Sequence, residues 1–232
     1  QTPALSGQIG DFPLDAIKDL KVENRADPTH HGQTVEGPEV VNGRVGKALK
    51  FSGENNVTIP LGNFDRFEPF SIGLWIKTPD RKDRAVVLHR SRAWTDAGSR
   101  GYEILLEDGK LAADLVHFWP GNAIGIRTTT EIPVDRWVHV ALTYDGSSRA
   151  AGLSLYLNGR RADCDIIRDH LVKSITGGGG DELTIGQRFR DRGFKNGLVD
   201  ELRVFDRELT PLEVAHLHDQ ESLSRALRED PA

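Results

Sequence analysis

Three short segments carry most of the side chains in this chain that could recognise a ligand. Between His89 and Tyr102 stand Arg90, Arg92, Trp94, Asp96 and Tyr102, separated by small residues. The run His117-Phe-Trp-Pro-Gly-Asn122 adds His117, Trp119 and Asn122, and Arg188, Arg190 and Arg192 follow at alternate positions further on. Indole faces pack against the apolar side of a pyranose, while amides, carboxylates and guanidinium groups hydrogen-bond its hydroxyls. Guanidinium forks also pair bidentately with carboxylate or sulfate. This is the set a glycan site needs, provided the loops converge. In a chain of net charge −5, so basic a cluster points to anionic polysaccharides. The competing reading is that Arg90 and Arg188 pair with Asp96, Asp181 or Asp191 to stiffen the loops, with Trp94 capping the core.

A second feature is Asp200, in Gly197-Leu-Val-Asp-Glu-Leu-Arg-Val-Phe-Asp206. Read as a strand, the segment puts Asp200 on one face with Leu198, Leu202 and Val204. An ionised carboxylate among aliphatic side chains requires a partner. Other candidates carry less. Cys164 is the only cysteine, which excludes an internal disulfide and any multi-cysteine metal site. The eight histidines include no metal-binding helical pair, and no serine has a nucleophile-elbow context. The run Gly177-Gly-Gly-Gly180 lacks the lysine ending of a phosphate loop and reads as a loop feeding a strand.

The elements that must position these residues read as strands. Phe70-Ser-Ile-Gly-Leu-Trp-Ile76 places Phe70, Ile72, Leu74 and Ile76 on one face, and Trp137 to Tyr144 does the same for Val138, Val140 and Leu142. Glu107-Asp-Gly109 and Asn158-Gly159 are hairpin turns. One helix start is explicit: Thr210 as N-cap, Pro211 at the first helical position and Glu213 completing a capping box. The 232 residues suit one all-β domain, a two-sheet antiparallel sandwich. Net acidity argues against nucleic acid, and no apolar run approaches the roughly 18 residues a membrane helix needs. With no Met and Gln1 first, the chain reads as a mature or excised part of something longer.

Five segments carry a resemblance: Gly46-Lys-Ala-Leu-Lys-Phe-Ser-Gly53, Phe70 to Ile76, Trp137 to Tyr144, Leu155-Tyr-Leu-Asn-Gly159 and Gly197 to Val204. In this order they resemble the landmarks of LamG-like (laminin G-like, concanavalin A-type) jelly-roll domains. The loops Arg90 to Tyr102 and Arg188 to Phe194 resemble a LamG-like module carried inside large planctomycete proteins. The resemblance implies a jelly-roll sandwich with a short C-terminal helix, the domain spanning 1–217 and a helical or flexible extension 218–232. It also implies a structural calcium ion at Asp200, joined by Asp15 after the first strand and Glu54 after Phe51-Ser-Gly53; the alternative is an Asp200 paired with an arginine or a backbone amide and no ion. Ser52 stands where many members have Asp, which weakens the calcium set.

The implied function is a non-catalytic, lectin-like module of a larger extracytoplasmic protein, with a glycan as partner and no membrane insertion. A module docking other domains of its parent chain is the alternative. A glycoside hydrolase is the third reading: related glycosidases carry Glu-x-Asp-x-x-Glu on one strand, and Glu103-Ile-Leu-Leu-Glu107 lacks the middle acid.

Overall fold

The structure is a computed structural model that describes residues 5–229. Two antiparallel sheets face each other. The first runs β14 (Arg160–Arg161), β13 (Leu153–Leu157), β12 (Val138–Tyr144), β7 (Phe70–Lys77), β17 (Leu198–Phe205), β5 (Lys47–Lys50) and β4 (Glu39–Asn42), with β1 (Gln8–Phe12) also pairing β17. The second runs β15 (Cys164–His170), β11 (Asn122–Glu131), β10 (Lys110–Phe118), β9 (Gly101–Glu107), β8 (Arg84–Arg90), β16 (Leu183–Ile185), β6 (Asn56–Ile59), β3 (Gly32–Val35) and β2 (Lys21–Val22). This is the jelly-roll sandwich that the strand pattern implies.

Alternation decides which faces meet. Phe70, Ile72, Leu74 and Ile76 of β7 and Val138, Val140 and Leu142 of β12 turn inward. They meet Ile104 and Leu106 of β9, Ala113 and Leu115 of β10 and Ile124 of β11. The hairpins turn where their residues tolerate left-handed backbone: Asp108-Gly109 at φ 51 and 76 and Asn158-Gly159 at φ 50 and 77, both type I′.

The expected face of Asp200 needs correction. Asp200 pairs with Trp75 but Arg203 pairs with Gly73, so β17 carries one extra residue there, and Glu201 takes φ 51. The bulge flips the alternation. Val199, Leu202 and Val204 face the core, while Asp200 lies on the opposite face with Trp75.

That outer face is covered by α1 (Pro211–Asp219), which begins with the capping box of Thr210 and Glu213 and is followed by α2 (Ser222–Glu229). Leu209, Val214 and Leu217 pack on Ala141, Tyr156 and Phe205 in a second, smaller apolar cluster. Three histidines sit in this seam. His139 of β12 and His216 of α1 are buried; His139 Nδ1 and both ring nitrogens of His216 lack partners. Trp75 and His218 lie 5.3 and 5.9 Å from the His139 ring. Burial, then His218 and Arg203, lowers the His139 pKa to about 3 from 6.5, and burial also lowers His216 and His218, Asp219 opposing.

A depressed histidine stays neutral when folded, so below its unfolded pKa only the unfolded chain gains the proton, and stability falls with pH. From neutrality to about pH 5 this costs about 2 kcal/mol for His139. Urea unfolding at both pH values should therefore show wild type losing about 2 kcal/mol more than His139→Gln. Equal losses would remove His139 from the acid response.

Candidate functional site

The outer face of the second sheet carries a row of paired residues: Thr184, His89, Glu103, Asp114, Gly125 and Arg168, one from each of six neighbouring strands. Glu103 and Asp114 are buried on this face, opposite each other in the β9–β10 hairpin. Gly125 makes room for Asp114, whose Oδ1 would lie 1.8 Å from a Cβ added there. Burial and then the neighbouring Glu103 and Glu107 charges push the Asp114 pKa well up, favouring its neutral form beside Glu103.

Arginines neutralise the remaining acids. The segment after β16 folds back over the sheet, held by the Gly186 N–H donating to Val87 O and Val86 N–H to Arg192 O, both at 2.9 Å. It inserts Arg188, fully buried, whose Nη1 pairs with Glu103 and whose Nε and Nη2 donate to Asp191 Oδ2 at 3.0 and 2.5 Å. Arg84 grips the same Asp191 through Nε and Nη2 at 2.8 and 3.0 Å and lies 3.6 Å from Glu107. Arg127 Nη1 donates to Glu107 at 3.0 Å. His89 is held by Gln187 O at 2.9 Å and Ser91 Oγ at 3.1 Å. Burial, then Arg188, depresses its pKa to about 3, leaving it neutral.

Above this buried layer stand the two tryptophans. The Arg84 and Arg188 guanidinium carbons lie 4.3 and 4.8 Å from the Trp94 ring centre, backing it with cation–π contacts. Trp94 and Trp119 stand 5.9 Å apart at 49°, and Arg168 lies over Trp119 at 5.3 Å. The Trp94 backbone N–H donates to Phe189 O at 3.1 Å, joining the first loop to the third. The structure thus brings Trp94, Trp119 and Arg188 together on one face. Arg92, Arg190 and Phe189 are exposed around them, Arg190 stacked on Phe189 at 5.2 Å, and Asp96 is exposed in a single 3-10 turn.

Three expected ligand contacts are corrected. Arg90 and Tyr102 lie on the inner face of the sheet, with Arg90 Nη2 donating to Phe64 O and Ile175 O at 3.1 and 2.8 Å. Tyr102 donates to Gly62 O at 2.7 Å. Both are sealed in the sandwich and out of reach of a ligand. Arg188 is equally buried; it supports the tryptophan from beneath and offers no free fork. His117 donates to Ser174 O at 2.6 Å and Asn122 Oδ1 accepts from Val172 and Lys173, so both shape loops. Asp114, Arg84 and Arg168 were missed as members of this face. The register of the Asp108-Gly109 turn, which sets Asp114 opposite Glu103, was the available signal.

At the chain ends, Asp200 Oδ2 accepts from the Arg44 and Val45 amides at 2.7 and 2.9 Å, and its Oδ1 is buried without a partner. Burial, partly opposed by those amides, raises its pKa to about 6, with Glu201 and Asp15 adding to the rise. Asp15 Oδ1 accepts from the Lys47 amide at 2.7 Å, so both acids grip the β4–β5 turn. The orphan Oδ1 of Asp200 and the nearby Asp15 fit a hard, oxygen-liganded cation. Glu54 does not belong with them: it is exposed beyond the opposite end of β5. Among the described residues, no three His, Cys, Asp or Glu side chains gather as a metal set, so any shell would need carbonyls and water.

Comparison with known proteins gives the family and the fold. A family model described as the concanavalin A-like lectin/glucanases superfamily matches residues 51–215. Botulinum neurotoxin type X of Clostridium botulinum is 27% identical over 200 residues, covering 82% of this chain and 14% of the toxin. Human adhesion G-protein coupled receptor D1 is 24% identical over 205 residues, 82% of this chain and 22% of the receptor. The chain therefore spans less than a quarter of either relative. Among solved structures, the binding domain of Paraclostridial mosquitocidal protein 1 superposes with TM-score 0.70 at 18% identity, over 92% of this chain and 52% of that one. Domain 4 of AbnA, an extracellular arabinanase from Geobacillus stearothermophilus solved with arabinotriose, gives TM-score 0.60 at 19% identity over 91% of this chain and 98% of that domain. At these identities the two superpositions establish the fold.

Proposed function

This chain belongs to the concanavalin A-like lectin/glucanases superfamily, and from that premise we propose that it is a non-catalytic, glycan-binding module of a larger extracytoplasmic protein. The observation that carries the reading is the Trp94–Trp119 pair, an aromatic platform whose Trp94 is backed by the guanidinium groups of buried Arg188 and half-buried Arg84. Rigid aromatic faces bind sugar rings with little ordering cost. The exposed Arg92, Arg168 and Arg190 at the rim suit hydroxyls and the acidic groups of an anionic polysaccharide. Catalysis is disfavoured because a glycosidase needs one free acid and one free base, and Glu103 and Glu107 are held by arginines while Asp114 is sealed. A domain of similar fold solved with arabinotriose, and a botulinum toxin binding domain solved with SialylT, support the sugar reading.

Native affinity electrophoresis through gels holding neutral, uronate-bearing or sulfated polysaccharides tests it. Retardation is expected in at least one. Mobility unchanged in all of them would favour the docking reading, which has its own support: Phe118 and Phe189, 47% and 60% exposed, extend the tryptophan face as an apolar patch.

The proposal includes a structural calcium ion held by Asp200 and Asp15. An ion that binds only the folded chain stabilises it by about 2.7 kcal/mol at a hundredfold excess over Kd. Melting in calcium should therefore exceed melting in EGTA by several degrees, and Asp200→Asn should abolish the difference. Identical melting of wild type in both would remove the ion.

A further inference from the structure

Far from the tryptophans, along the β2 edge of the second sheet, lies a cleft of 310 Å3, near the lower end of the range for small-ligand sites. Its floor is the buried Pro13 and Leu14, and its rim carries Lys18, Lys21, Arg25 and His31. Lys18 and Lys21 exchange both backbone hydrogen bonds, at 3.0 and 2.9 Å, around Asp19-Leu20. Those two residues take φ 51 and 61, a type I′ turn made without glycine or asparagine, and Leu14 is itself left-handed at φ 61. Such backbone is costly for leucine and collects where function requires it.

The turn sets two lysines directly opposite, where like charges repel. Neither lysine has an ion-pair partner among the described residues. The arginines beneath Trp94 are the opposite case, each already matched by a carboxylate. Of the cleft's acids, Asp15 turns toward the Lys47 amide and lies 3.4 Å from Arg25, whereas Glu23 on the rim is in no ion pair among the described residues. An anion bridging Lys18 and Lys21 would relieve their repulsion with charge-assisted bonds, over an apolar floor that suits a ring face.

We propose that this cleft is a second ligand site, taking a carboxylate-bearing sugar: the carboxylate between Lys18 and Lys21, the ring against Pro13 and the exposed Ala16, and a hydroxyl on Glu23. The site stands apart from the tryptophan face, so either can fail without the other.

Titration of the labelled chain with sodium glucuronate, glucose or sodium sulfate at matched ionic strength, followed by amide chemical shifts, tests it. Glucuronate should shift residues 13–31 with an affinity about tenfold or more above that of glucose or sulfate. Lys18→Glu should weaken glucuronate about tenfold or more, while Tm holds or rises because an opposite-charge pair replaces a like one. Trp119→Ala should change nothing here. Lys21→Gln, which keeps the turn and removes one charge, should also weaken glucuronate and serves if Lys18→Glu misfolds. Glucose binding equally would remove the anion recognition, and sulfate binding equally would remove the sugar. Undiminished affinity in either folded lysine variant would overturn the site.

Discussion

Arg188→Ala is expected to destabilise the chain by about 3–5 kcal/mol, the range for removing one partner of a buried ion pair. Arg188 is 1% exposed and touches Glu103, Asp191 and the Trp94 ring. Without it, Glu103 stays buried beside Asp114 with only Arg84 near, at 4.0 Å. The loss comes less from the attraction given up than from the carboxylate left unpaired. A second variant separates the two causes. Arg188→Met combined with Glu103→Gln removes both charges and keeps much of the volume, and should recover most of the stability. Urea unfolding measures both. A loss under about 1 kcal/mol for Arg188→Ala would place it in the range of exposed pairs and contradict the buried network.

The second large effect concerns binding. Trp119→Ala should weaken retention on whichever polysaccharide retards the chain by about 30-fold, the consequence of about 2 kcal/mol for a central aromatic contact. Trp119 is half-buried and covered only by Arg168 and Trp94, so its removal should leave unfolding nearly unchanged. Trp94→Ala should lose similar affinity but also stability, because Trp94 covers the Arg84 and Arg188 guanidinium groups. The two rings touch, so the double variant should fall short of the product of the single losses. A Trp119→Ala chain retained like wild type would end the assignment of this face.

Much of the architecture was readable from residues alone, because it rests on local rules. Inward Phe70, Ile72, Leu74 and Ile76, the Asn158-Gly159 turn and the capping box of Thr210 and Glu213 each depend on a few consecutive residues and a fixed period. The loops rich in tryptophan and arginine were also visible as segments. What each arginine does was not. Arg90 and Arg188 look alike in sequence, yet one is capped by carbonyls inside the sandwich and the other by Glu103 and Asp191 beneath Trp94. The Arg188–Asp191 pair, three residues apart, was among the readings the sequence offered, but Glu103 and the Phe64 and Ile175 carbonyls come from distant segments, and no local pattern names those.

The same limit governed Asp200. Strict alternation put it with Leu202 and Val204, but a one-residue bulge at Glu201 reverses the phase of β17. The bulge arises from how β17 registers against β7, a long-range pairing, and it places Asp200 under the β4–β5 turn rather than in the core. The sequence by itself determined the strands, the turns and the sandwich they build. Tertiary structure alone decided which face each charged side chain meets, because charge pairing and sheet register join residues far apart in the chain.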